Sequence, residues 1–180
     1  HYPLRRQRQM CIRDRTEGVM IELKGASRIY QMGQEKIAAL ADINLKVEDG
    51  EFMAVVGPSG SGKTTLLNVI GGLDRPTDGT IFINGQDINQ FNDEAKSHFR
   101  NKTIGFVFQS FNLQPFYTAL ENTIMPLLWS EVRPKERRQR AKEALKNVGL
   151  GDRMNFYPHQ LSSGQHQRVS VARAIVNQPK

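Results

Sequence analysis

The sequence predicts an α/β fold with an N-terminal antiparallel β region, a central parallel sheet and a helical subdomain. Three observations predict this class. Residues 43–47 alternate between apolar and polar side chains, as in a strand with one buried face. The nearly continuous apolar run 52–56 is typical of a strand covered on both faces. Beyond residue 118, apolar residues recur at helical spacing.

The other elements of the first half follow from strand patterns and turn residues. They are strands at 19–23, 26–30 and 80–83, a helix at 63–70, a short helix at 92–100 and a buried strand at 104–108. Asp49-Gly50 and Asn84-Gly85 are typical of tight turns between strands. Gly71-Gly72 should end the helix at 63–70.

The second half carries helix start and stop signals. Thr118 and Glu121 form a capping box, and Pro126 should interrupt the helix that this box begins. Pro134 is favoured at a first helical position. The helix that it starts has a stripe of apolar residues, Ala141, Ala144, Leu145 and Val148, and stops at Gly149. Its charged face is interpreted as solvated. A last helix is expected at 163–177.

A glycine-rich loop between the run 52–56 and the helix at 63–70 has the G-x-x-x-x-G-K-[ST] pattern of a phosphate-binding P-loop. Glycines let successive backbone N–H groups turn toward phosphate oxygens, and the helix N-terminus adds a positive dipole. Lys63 should reach the β- and γ-phosphates, and the Thr64 hydroxyl should ligate Mg²⁺. The predicted nucleotide contacts are Gly57, Pro58, Ser59, Gly60, Ser61, Gly62, Lys63, Thr64 and Thr65.

Composition narrows the class of protein. The chain has 180 residues, long enough for one domain with a sizeable core. It contains no apolar run of membrane-spanning length and no apolar stretch typical of a secretory signal. The single cysteine, Cys11, excludes an internal disulfide framework.

The net charge of +7 is concentrated in the leader. Five arginines and one aspartate lie within 1–15, so these residues carry +4, and no nucleic-acid partner is expected for the remainder. The leader could be a basic arm, a disordered tail or translated adapter sequence. We favour the last interpretation, with 1–19 outside the domain and the genuine protein beginning near Met20.

A second motif, Leu-Ser-Ser-Gly-Gln at 161–165, precedes the last helix. By itself it is a helix N-terminus, because Ser162 and Gln165 form a capping box. Together with the P-loop and the strand that ends on Gln109, it resembles the ATP-binding-cassette (ABC) ATPase family over residues 20–180. The family signature is Leu-Ser-Gly-Gly-Gln. This chain departs from it at Ser163, where a small residue should still fit.

The resemblance implies ATP and Mg²⁺ as cofactors. Tyr30 would stack on adenine; a half-buried core tyrosine is the alternative. Gln109 would help to hold Mg²⁺ and sense the γ-phosphate, acting with Lys63 in catalysis; a surface glutamine at a strand end is the alternative. The signature residues Ser162, Ser163, Gly164 and Gln165 would contact ATP on the P-loop of a second subunit. Two ATP molecules would then be sandwiched in a head-to-tail dimer.

Finer motifs at 71–74, 111–115, 118–122 and 148–150 resemble the lipoprotein-release and macrolide-export branch (LolD/MacB type). This branch implies a membrane permease partner, ATP-driven export or lipoprotein release, and a place at the cytoplasmic face of the bacterial inner membrane. The implied coupling surface follows Gln109 and comprises Phe111, Leu113, Phe116 and Tyr117. Core packing in a helical subdomain of about 110–165 is the equally weighted alternative.

The family's next strand carries a metal-binding Asp and a catalytic Glu, and it would follow 177–180, where the sequence given ends. No residue present is assigned as the general base. We therefore expect weak nucleotide binding and turnover no higher than that of Lys63→Ala for this chain alone.

Two other functions stay open. One is a non-transport ABC ATPase acting on DNA or the ribosome, and the other is a non-catalytic nucleotide-binding module. The interval between Gln109 and Leu161 suits a compact helical subdomain rather than the long coiled coil of repair-type members.

Overall fold

The computed structural model describes residues 18–179. The leader 1–15 and Cys11 therefore lie outside the described residues. The described residues divide into two compact units, one up to Asn92 and one from Asp93 onward. The first unit is built on a sheet and the second on helices, and each is considered by itself.

The sheet of the first unit has four antiparallel strands in the order β2-β1-β3-β4. They are β1 (Val19–Met32), β2 (Glu35–Glu48), β3 (Asp78–Ile83) and β4 (Gln86–Asp87). The predicted strand segments of the N-terminal region thus merge into one long hairpin, β1–β2. Asn84 and Gly85 have φ values of 49° and 73°, so both residues of the β3–β4 turn are left-handed.

Within residues 18–92, the α-helix α1 (Lys63–Ile70) has the predicted bounds. It ends in a Schellman motif, because the Leu73 N–H donates to Asn68 O and the Gly72 N–H donates to Val69 O. The apolar side chains of the unit form its interior. They include Leu23, Ala26, Leu40, Leu66, Val69, Ile81, Ile83 and Ile88.

Two strand predictions are wrong for the described residues. The apolar runs 52–56 and 104–108 have irregular backbone, and Phe52 is 96% exposed. Apolar character predicts burial, but a strand also requires a hydrogen-bonded neighbour, which in a parallel sheet arrives by a crossover connection. Every ladder among residues 18–179 is antiparallel, so these two runs add no parallel strands to the sheet.

The second unit contains four α-helices. They are α2 (Asp93–Thr103), α3 (Ala119–Ile124), α4 (Pro134–Asn147) and α5 (Ser163–Ile175), with 3₁₀ turns at Met125–Trp129 and Pro158–Gln160. Helices α3, α4 and α5 contact one another around a single apolar cluster. Its members are Ala119, Leu120, Leu127, Ala141, Ala144, Leu145, Leu150, Leu161, Val169, Ala172 and Val176. The predicted helical subdomain, about 110–165, lies within this unit.

Three predicted helix-end signals of this unit are confirmed, while the helices predicted at 92–100 and 163–177 span 93–103 and 163–175. Thr118 and Glu121 make the reciprocal capping box, and Pro134 occupies the first turn of α4. Gly149 follows α4 at φ 71°, and the Leu150 N–H reaches back to Leu145 O. Across the described residues, the helices are too short or too polar to cross a membrane.

Candidate nucleotide-binding site

The glycine-rich loop of the first unit leads directly into α1. Gly60 and Gly62 have φ values of 81° and 87°, which L side chains rarely adopt. At Gly62 a Cβ atom would also lie only 2.3 Å from Ala39 O of β2, and at Gly57 it would lie 2.8 Å from Ser61 Oγ. Gly62 is therefore required both by its backbone conformation and by the space around it, whereas Gly60 is favoured by conformation alone and Gly57 by space alone.

Lys63 folds back over this loop. Its ammonium group donates to Pro58 O at 2.6 Å and to Ser61 Oγ at 3.2 Å. An ammonium has three donors, so one remains to reach a phosphate oxygen. The arrangement holds a positive charge at the mouth of the loop.

The N-terminus of α1 has Gly62 as its N-cap and lacks a side-chain cap. Backbone N–H groups of its first turn can therefore donate to an anion, and the helix dipole favours one there. Thr64 is exposed and Thr65 is half-buried in this turn, while Ser59 and Gly60 are exposed in the loop. The described residues contain no cluster of three His, Cys, Asp or Glu side chains suited to a metal. The Thr64 hydroxyl fits Mg²⁺, which binds few protein oxygens and completes its shell with phosphate and water.

Tyr30 of β1 belongs to a polar cluster in the first unit. Its hydroxyl donates to Asp74 Oδ2 at 2.6 Å, and the Arg28 guanidinium lies 4.5 Å from its ring centroid. Arg28 also binds both carboxylate oxygens of Asp74, at 2.9 and 2.8 Å. Burial opposes ionisation of Asp74, but hydrogen bonds from Tyr30 and the Arg75 N–H, with the Arg28 charge, lower its pKa below 3.8. One ring face of Tyr30 is thus covered by a cation, and its adenine contact stays a prediction.

Gln109, in the second unit, is exposed in a tight turn. The Phe111 N–H donates to Phe108 O at 3.1 Å, which closes a β-turn around Gln109 and Ser110. Phe111 and Asn112 follow at φ 61° and 47°. The turn directs the chain sharply away after Gln109, which leaves this side chain at the surface.

The signature residues cap α5. The Ser162 N–H donates to Gln165 Oε1 at 2.8 Å, and Ser162 Oγ accepts from the Gln165 N–H at 3.4 Å. Ser162, Ser163 and Gly164 are exposed. A Cβ atom at Gly164 would meet nothing within 4 Å, so the packing of this chain does not explain the glycine. Gln165 is engaged in the cap, and its contact with nucleotide stays a prediction.

The four residues predicted to contact a permease divide into two pairs. Phe116 is 87% exposed and Tyr117 is 47% exposed. Leu113 packs against the apolar cluster, and the Phe111 ring lies 5.8 Å from that of His166. Core packing therefore accounts for Leu113, whereas Phe111 contacts His166, and Phe116 and Tyr117 are exposed.

Comparison with known proteins identifies the group. The sequence profile described as ABC transporter matches residues 40–180. The chain belongs to the ABC transporter ATP-binding family. The predicted cassette fold, the nucleotide-binding P-loop and the ATPase class are thereby confirmed.

Individual ABC transporter proteins are similar to this chain over most of its length. The ATP-binding protein YvrO of Bacillus subtilis is 53% identical over 161 residues, which cover 89% of this chain and 70% of that protein. The macrolide export ATP-binding/permease protein MacB of Salmonella choleraesuis is 44% identical over 158 residues, which cover 88% of this chain and 24% of that protein.

Solved structures of the cassette MJ0796 from Methanocaldococcus jannaschii match the fold. Two dimeric structures, one of them bound to ADP and Pi, superpose with a TM-score of 0.83 at 47% and 48% identity. Each match covers 89% of this chain and 71% of the solved chain. The cassette fold of an antiparallel sheet with helices is thus shared with an ATP-binding cassette.

The sequence analysis missed several residues that shape these parts of the cassette. Arg28 and Asp74 surround Tyr30, and Ser170 and Arg173 of α5 bind the carbonyls of the turn after Gln109. The partners lie 44 to 62 positions apart in sequence. Hydrophobic periodicity and short motifs carry no signal for such pairs, so the contacts could not be predicted.

Proposed function

We propose that this chain binds MgATP at Gly57–Thr65 and is the ATP-hydrolysing subunit that powers a membrane permease, in the export or lipoprotein-release branch. The loop geometry carries the proposal. Two left-handed glycines, an uncapped helix N-terminus and a lysine ammonium converge on one short segment. This combination of backbone N–H donors and a fixed positive charge suits the oxygens of a polyphosphate.

Each group in the loop has a separate task in this proposal. The first-turn N–H groups of α1 bind phosphate oxygens, and Lys63 adds a charge that follows the β- and γ-phosphates. Thr64, with Gln109, would hold Mg²⁺, which supplies charge neutralisation on the phosphates. Gln109 is exposed at the tip of a turn and would orient toward the γ-phosphate. Tyr30 would offer adenine the ring face opposite Arg28.

A second copy of the subunit would complete the site. Ser162, Ser163 and Gly164 lie exposed at the N-terminus of the 13-residue helix α5, and Gly164 has open space around it. Backbone N–H groups and the helix dipole favour an anion at an exposed helix N-terminus. The dimeric state of the MJ0796 structures supports a head-to-tail pair in which this terminus faces the partner's ATP.

The permease is the other proposed partner. MacB combines ATP-binding and permease functions under one name, which supports coupling of a similar cassette to a membrane protein. Exposed Phe116 and Tyr117 are the residues best placed to receive it, and half-buried Phe111 and Leu113 precede them in sequence. This coupling would hold the subunit at the cytoplasmic face of the bacterial inner membrane.

Titration with a fluorescent ATP analogue in the presence of Mg²⁺ tests the nucleotide site. Lys63→Ala should weaken binding by at least about tenfold, because the loop loses its one side-chain cation toward phosphate. Lys135→Ala is the matched control, since Lys135 is exposed on α4. Equal affinities of the wild type and Lys63→Ala would overturn the proposal.

A further inference from the structure

The segment that carries Gln109 is attached to α5 on both sides of the glutamine. Before it, the side chain of Asn177, two residues beyond the C-terminal end of α5, donates to Asn101 O at 2.6 Å and to Asn101 Oδ1 at 2.7 Å. Also before it, Gly105 lies so close to α5 that an added Cβ would be 2.5 Å from Ala174 O. After it, Arg173 binds the next turn. The segment 101–112 therefore runs along one helix, from its C-terminal end toward its N-terminal end.

The turn after Gln109 is strained. Phe111 and Asn112 both have positive φ. This region costs free energy for a bulky residue such as Phe111, whereas asparagine tolerates it better. The Asn112 N–H donates to Ser110 O at 2.6 Å, which makes Phe111 the centre of a γ-turn with left-handed φ, a rare and strained form. Such a conformation persists only where the surrounding structure determines it.

Arg173 holds the turn in this conformation. Its guanidinium donates to Asn112 O at 2.7 Å and to Phe111 O at 2.5 Å, and the Ser170 hydroxyl donates to Phe111 O at 3.0 Å. The rigid fork of an arginine suits two adjacent carbonyls better than a lysine ammonium does. Burial lowers the pKa of Arg173, and in the described part of the chain its recorded partners are carbonyls rather than carboxylates. The partly buried guanidinium of Arg173 thus fixes the geometry of this turn through hydrogen bonds to its carbonyls.

We propose that Arg173 is a positioning residue that couples the signature helix to Gln109. The N-terminus of α5 carries Ser162 and Gly164, and its later turns hold the segment on which Gln109 sits. Because a helix is stiff over 13 residues, a displacement of the signature end would be transmitted to the glutamine. This inference rests on the proposed γ-phosphate contact of Gln109.

The test is a double-mutant cycle on the ATP-to-ADP affinity ratio, measured with the full chain and Mg²⁺ by displacing a fluorescent nucleotide. Gln109→Ala and Arg173→Met should each reduce the ratio by about fivefold or more, and the double variant should reduce it no further. Arg173→Lys, which keeps the charge but loses the fork, should also reduce it, and it serves where Arg173→Met folds poorly.

Arg168→Met is the matched control. Arg168 lies on the same helix and donates to a backbone carbonyl outside the Gln109 segment, Val148 O, at 3.2 Å. It should leave the ratio unchanged.

Three outcomes overturn the coupling. The first is an unchanged ratio in Arg173→Met and Arg173→Lys, even with lowered thermal stability. The second is full additivity with Gln109→Ala. The third is a wild type that binds nucleotide through Lys63 without preferring ATP. That last result leaves the nucleotide site standing, whereas loss of Lys63-dependent binding is a failure of the proposed function itself.

Discussion

The P-loop and the turn after Gln109 are both sharp bends with left-handed backbone, yet they are built in opposite ways. In the P-loop the left-handed positions are glycines, Gly60 and Gly62. In the second turn they are Asn112, which tolerates that conformation, and Phe111, whose bulky side chain disfavours it. The first bend follows from its own residues. The second is held by Ser170 and Arg173, about 60 positions later in the chain.

This difference suits two different tasks. A loop that must present the same N–H groups to every nucleotide benefits from a shape that depends on nothing distant. A turn that must report the state of one part of a protein to another needs its shape to depend on that part. Strain at Phe111, offset by contacts with α5, provides such a dependence.

Substitution of glycine should have its largest effect where the P-loop meets β2. Gly62→Ala combines φ 87° with a Cβ 2.3 Å from Ala39 O, so we expect a loss of at least about 3 kcal/mol in the free energy of unfolding. Gly60→Ala is the matched variant, because it has φ 81° but open space, and it should cost only about 1 kcal/mol. Urea unfolding measures both. Equal losses would mean that backbone conformation alone decides.

The cluster of Tyr30, Arg28 and Asp74 tests how much a long-range contact stabilises the first unit, because Asp74 binds two side chains of β1. Asp74→Asn should lower the free energy of unfolding by about 2 kcal/mol at pH 7, since it removes a charged partner of Arg28. The folded pKa of Asp74 lies below its ordinary 3.8, so its contribution is present above that value and is lost as pH falls through the folded pKa.

The difference between wild type and Asp74→Asn should therefore stay constant from about pH 5 to pH 8 and shrink below about pH 4. Thermal unfolding across this range measures it. Asp152→Asn is the control, because the Asp152 side chain is 73% exposed beside Arg153. A difference that grows on acidification would contradict the assigned direction of the pKa shift.

The smallest expected effect is at Asn112, in the turn after Gln109. Asn112→Gly should raise the free energy of unfolding by up to about 0.5 kcal/mol, because glycine adopts φ 47° without the side-chain penalty and the carbonyl that binds Arg173 remains. Asn112→Val should lower it by about 1 kcal/mol or more, since β-branched residues tolerate this region poorly. Chemical denaturation of both variants measures these changes in the free energy of unfolding. A stabilising valine would show that the turn is unstrained.

Prediction from sequence succeeded where the physical cause is local. The capping boxes at Thr118 and Ser162, the stop at Gly149 and the helix after the P-loop all appear at the predicted residues. Each depends on side chains and backbone within a few positions. The runs 52–56 and 104–108 were predicted as strands from apolar character alone, and they lack the neighbours that strands require.

The sequence by itself determined the family, the phosphate-binding loop and the helix termini, because motif spacing and capping chemistry act over short distances. Tertiary structure alone decided that Tyr30 contacts both Arg28 and Asp74, and that Gln109 lies on a segment held by α5. These arrangements depend on side chains that meet only after the chain has folded. No pattern of nearby residues encodes which carbonyl a distant guanidinium will reach.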